Sequence, residues 1–204
     1  MGQAILGQVW RFLMVTIGSL WLAILVASVA VFFASFLAWM VVKHHDKDVQ
    51  ALPDEKALTN HLNTLSLRPG FYMWPNCANR EDMNSQEFKE RYAKGPWGNL
   101  TVIPQQPSFG RNLLLTFLCY VIVSVFVAYL TGQARGPGAG FMEVFQVAGT
   151  AGILAYCAGS IPNAIFFGKP GRFVLTDFVD GVVHGLVTGV VFAWLWPGVE
   201  AVGA

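Results

Sequence analysis

Charge is what this chain most lacks. Only 12% of its 204 residues are Asp, Glu, Lys or Arg, and its net charge is +1. So small a footprint excludes nucleic acid as an expected partner. Residues 1–42 hold a single charge, Arg11. Cysteine is scarce as well. Cys77, Cys119 and Cys157 are scattered, with no CxxC spacing, and their odd number argues against a disulfide framework. Cys119 and Cys157 lie in apolar runs, where cysteine acts as a small hydrophobe. No Ser/His/Asp or Cys/His arrangement for nucleophilic catalysis can be assembled. Gly159…Gly168-Lys169 lacks phosphate-loop spacing, and Pro170 stands where the hydroxyl residue belongs. No internal repeat or low-complexity tract breaks the chain.

Apolar residues are abundant. They make up 54% of the sequence, and the mean hydropathy is +0.50, which fits an integral membrane protein. The run from Phe12 to Val42 is too long and too poor in charge for a cleaved signal peptide. As one helix it would measure roughly 46 Å against a hydrocarbon core of about 30 Å. A first span is therefore expected near Ser19–Val42, with tilt or an interfacial start taking up the excess. Further spans are expected at about 113–130, 141–167 and 173–196. The third should kink at Pro162, where Ser160 and Asn163 can answer freed backbone groups. Trp194-Leu195-Trp196 reads as an interfacial anchor of the last.

Residues 43–111 differ in kind, holding most of the charges and three of the four histidines. Pro53-Asp54-Glu55 opens a helix whose apolar stripe is Leu58, Leu62 and Leu65. Phe71–Trp74 and Leu100–Ile103 read as strands, and Asn84-Ser85-Gln86-Glu87-Phe88 opens a second short helix reaching about Tyr92. The expected fold is an all-α membrane protein: four transmembrane helices with a small α+β extramembrane insert between the first two. Its domains divide as 1–42, 43–111 and 112–204. Lys43, Lys47, Arg111, Lys169 and Arg172 flank the membrane on the insert's side, and Arg11 and Arg135 on the other. The positive-inside rule therefore puts the insert in the cytoplasm and the termini outside.

Ala38-Trp39-Met40-Val41-Val42, His44-His45, Leu52-Pro53-Asp54-Glu55 and Pro69-Gly70-Phe71-Tyr72-Met73-Trp74-Pro75 together resemble an uncharacterised group of small bacterial polytopic membrane proteins. In that group one span precedes a Pro-Asp-Glu helix, a Pro-Gly-x-Tyr-x-x-Pro turn and further spans. The likeness covers residues 37–76 and implies a topology, a bacterial source and hence a place in the inner membrane, with no activity attached.

The sharpest chemical signal is in the last span. Asp177, Asp180 and His184, spaced by three and four, share one helical face. An intramembrane carboxylate costs roughly 3 kcal/mol on insertion scales, so each needs a partner or a task. Asp177 can pair with Arg172 or Lys169, and a proton shared between Asp180 and His184 would satisfy both. Asn163, Ser160 and Tyr156 of the third span are further partners. Gly181, Gly185 and Gly189 form a strip that suits the small residues Ala148, Gly152, Ala155 and Gly159 of that span. His44-His45-Asp46-Lys47-Asp48 could bind metal, but adjacent histidines on a helix diverge by about 100° and a lysine intrudes, so the stretch reads as a solvated juxtamembrane face. These features favour a non-enzymatic accessory or scaffolding subunit, bound to lipid and to other membrane subunits or itself, without a cofactor. The alternative is a small oligomeric transporter or channel for protons or metal ions working through the Asp177/Asp180/His184 face.

Overall fold

The computed structural model describes residues 14–202 apart from residue 78. Arg11, used above to weigh orientation, lies outside them.

Four helices are long and apolar enough to cross a membrane, spanning Gly18–Val42, Phe109–Ala134, Phe141–Phe166 and Gly171–Trp194. The chain is an integral membrane protein. The first span is a 3₁₀ turn, Gly18–Leu20, helix α1 (Trp21–Phe36) and a π-helical turn, Leu37–Val42. Its end is abrupt. Lys43 adopts φ 55°, ψ 29° and donates its N–H to Ala38 O, which closes the π turn and sends the chain sideways.

The second span is α4 (Phe109–Ala134). The third is interrupted, with α5 (Phe141–Cys157) and α6 (Ser160–Phe166) separated by Ala158 and Gly159. The break falls one turn before Pro162, whose ring cannot sit under the carbonyl four residues earlier. Pro162 is thereby the third residue of α6, where no intrahelical N–H bond is lost. The last span is α7 (Gly171–Trp194). Helices α5 and α7 pack most closely, and α1 lies against α7 as well.

Glycines permit that approach. A Cβ on Gly185 would lie 2.4 Å from the Ile153 nitrogen, one on Gly189 2.8 Å from the Gly149 Cα, and one on Gly152 2.9 Å from the Gly185 Cα. A Cβ on Gly181 would meet the Cys157 sulfur at 2.5 Å. Gly159 takes no part, since a Cβ there would meet nothing within 4 Å, and Ala155 is exposed. The small face of α5 is instead Ala148, Gly149 and Gly152, all buried. Around this seam Ala23, Ala27, Val127, Val144 and Phe192 form the core.

Gln50–Phe109 is a separate compact unit. It holds α2 (Glu55–Leu65), capped by the Asp54 carboxylate accepting the Ala57 N–H, and α3 (Gln86–Lys94), capped by Ser85 in the same way. Strands β1 (Gly70–Trp74) and β2 (Gly98–Val102) pair antiparallel, with Tyr72 opposite Leu100. Gly98 lets the Trp74 ring lie against the backbone, for a Cβ there would come within 2.3 Å of it. Residues 43–49 group with the spans.

Candidate functional site

The turn at Lys43 decides the chemistry. Because the chain leaves the helix there, His44 and His45 do not diverge, and their rings lie 4.3 Å apart between centroids. Both reach the last span. His44 Nε2 is 2.9 Å from Asp180 Oδ1, and His45 Nε2 is 3.0 Å from Asp180 Oδ2. One carboxylate thus meets two imidazoles that come from the far end of another span.

His45 is held on every side. Its Nδ1 is 2.8 Å from Asp48 Oδ2, and its ring stacks on Trp39 at 4.0 Å between centroids and 6° between planes. Asp48 in turn accepts the Thr176 hydroxyl, while its other oxygen is 3.0 Å from Arg172 Nε. Arg172 also donates to the His44 carbonyl at 2.7 Å. The side chains of His45 and Asp48 are 1% and 0% exposed, so the solvated juxtamembrane face expected at 44–48 holds for Asp46 and Lys47 but is corrected at His44, His45 and Asp48 to a polar clamp between the end of the first span and α7. Sequence reading missed it because it assumed helical divergence for the two histidines. The pair itself was the available signal.

Electrostatics follow from this geometry. Burial opposes charge on His45, but hydrogen bonds to Asp180 and Asp48 and the charges of both outweigh it, and the imidazole pKa is raised. Asp48 is held below the ordinary carboxylate range, first by the Thr176 hydroxyl and then, against the cost of burial, by His45 and Arg172.

Between the spans, Asp177, Asp180 and His184 line one open cavity of about 250 Å³ together with Tyr120, Tyr156 and Ser160. His184, 7% exposed, sits edge-on to Tyr156 at 5.5 Å between centroids and beside Tyr120 at 5.8 Å. Two expected pairings give way to others. Asp180 turns to His44 and His45 rather than to His184. Arg172 serves Asp48 rather than Asp177, and Lys169 lies over the Phe173 ring at 4.4 Å. Asp177 has no ion pair among the described residues. Asn163 is exposed on α6 and does not line the cavity.

Hydroxyls continue deeper. Thr188, Ser124, Ser28 and Thr131 are fully buried. Ser28 donates to the Ile24 carbonyl and lies 3.2 Å from the Ser124 hydroxyl, and Thr188 donates to the His184 carbonyl. Tyr156 Oη is buried near Thr188 and Ser124 without hydrogen-bond geometry to either, and Thr131 Oγ1 is buried without a partner among the described residues. No family model, curated protein or solved structure matches this chain, so the resemblance read from residues 37–76 gains no family from these comparisons.

Proposed function

We propose that the protein moves a cation, a proton or a metal ion, along the inner face of α7. A single observation carries this reading: Asp177, Asp180 and His184 open onto one cavity among the spans, and buried hydroxyls from three spans extend the polar line beyond it. Lipid-embedded ionisable groups that face a bundle interior mark ion pathways more often than other positions do. The accessory-subunit expectation drew on a lack of clustered chemistry in the sequence, and on small-residue helix faces, many aromatics and one modest polar knot that suit packing. The convergence of His44 and His45 on Asp180, with Asp48 behind His45, supplies clustered chemistry and favours the ion-handling alternative. Four spans enclose a thin pathway, so the working unit is an oligomer. Its place is the inner membrane, with the insert and the His–Asp clamp on the cytoplasmic side.

Reconstitution tests it. Vesicles holding the purified protein should show proton or Zn²⁺ flux above empty vesicles. His184→Gln should cut that flux at least tenfold while the protein still elutes and melts as a folded species. Folded native protein that moves neither ion would remove the reading. Loss of folding in His184→Gln, with flux intact in whatever folds, would assign His184 to the packing of α7 instead.

A further inference from the structure

We propose that His44, His45 and Asp180 bind a divalent transition-metal ion, which makes the clamp a metal site at the cytoplasmic edge of the membrane. The proposal deepens the ion-handling reading by naming the ion class. It rests on that reading only for transport of the ion, since binding is measured apart from flux.

The donor set fits. Two imidazole nitrogens and a carboxylate oxygen, one from each residue, lie within 4.8 Å of one another. A tetrahedral Zn²⁺ with bonds of about 2.0–2.1 Å needs its ligand atoms roughly 3.3 Å apart, so small side-chain movements would close the set. His44 Nε2 shows the need for such a partner. It is buried and lies 2.9 Å from Asp180 Oδ1, yet it makes no hydrogen bond of proper geometry there.

The surroundings fit too. Metal-bound histidines commonly give their other ring N–H to a carboxylate, which fixes the tautomer and aims the free nitrogen at the ion. Asp48 does this for His45 Nδ1, is itself fixed by Thr176 and Arg172, and leaves Nε2 directed at Asp180. Trp39 holds the ring plane. The ion would take the place now bridged between His45 Nε2 and Asp180. Three protein ligands leave a coordination position open, which suits a site that exchanges its ion rather than a closed structural one. Imidazole with carboxylate favours Zn²⁺, Fe²⁺ or Co²⁺ over Ca²⁺ or Mg²⁺.

The test is titration of the purified full-length protein in detergent with Zn²⁺ by calorimetry, and with Co²⁺ by its visible absorption. One ion per chain is expected, with Co²⁺ bands of a nitrogen- and oxygen-ligated site. His44→Gln and Asp180→Asn should each weaken Zn²⁺ binding a hundredfold or more. Asp48→Asn, acting through His45, should weaken it ten- to a hundredfold. His61→Gln, in the separate insert, should change nothing. His44 is the ligand least engaged in packing, at 26% side-chain exposure, so its variant decides the matter if the others fail to fold. Binding of less than one ion per chain, or binding that persists undiminished in folded His44→Gln, would overturn the metal site. Metal binding without flux would overturn the transport reading alone.

Discussion

At the scale of single residues, the seam between α5 and α7 depends on atoms that are not there. Gly185 is the tightest point, because its missing Cβ would fall on backbone of the neighbouring helix, which has no rotamer with which to yield. Gly185→Ala should destabilise the protein by about 1–3 kcal/mol through overpacking. Gly159→Ala is the matched control, since open space surrounds that position and its φ of −77° is open to alanine. A thermal melt in detergent reads both, and equal losses from the two variants would contradict the packing described. The sequence repeat of glycine along α7 announced this seam, and Gly181, Gly185 and Gly189 all meet α5 or a side chain of it. The facing stripe was legible only in part. Ala148 and Gly152 lie in it, but Gly159 falls at the break before Pro162, where spacing along an unbroken helix no longer predicts direction.

At the scale of elements, the first span matters most for how it stops. Lys43 is one of two non-glycine residues with positive φ among the described residues, and its turn carries His44 and His45 toward α7. Such backbone favours glycine and strains β-branched side chains. Lys43→Gly should therefore leave stability and Zn²⁺ affinity close to native. Lys43→Val should cost roughly 1–2 kcal/mol and weaken Zn²⁺ binding at least tenfold, because the histidines would be swung off Asp180. Melting and calorimetry on the same samples check this, and a Lys43→Val protein that binds Zn²⁺ like the native one would break the link between turn and site. The same turn explains what the sequence hid. Long apolar runs and their charged boundaries made four spans and the insert readable, and Asp54 and Ser85 announced the helices they cap. Nothing local marks a π-helical turn ending in a left-handed lysine. Helical geometry applied across residue 43 sent two adjacent histidines apart, whereas the backbone brings them together.

For the whole molecule, the balance of charge across the spans supports the proposed cytoplasmic side for the clamp. Near the membrane on the clamp's side lie Lys43, Lys47, Arg111, Lys169 and Arg172, against Arg135 at the other end of the described spans. An excess of that sign retains a segment in the cytoplasm. The clamp does not cancel it. Arg172 is paired with Asp48, but carboxylates contribute little to retention, and the remaining lysines and Arg111 still outnumber the opposite side. The three cysteines supply a direct reading. Cys77 is partly exposed in the insert, Cys119 is exposed on a membrane-spanning helix, and Cys157 is buried at the seam, so only the first faces an aqueous reagent. In a Cys119→Ala, Cys157→Ala background, a membrane-impermeant maleimide should leave Cys77 unlabelled in intact cells and label it after permeabilisation. Labelling in intact cells would put the insert outside, and the metal site with it. The site would then draw its ion from the external pool rather than from the cytoplasm.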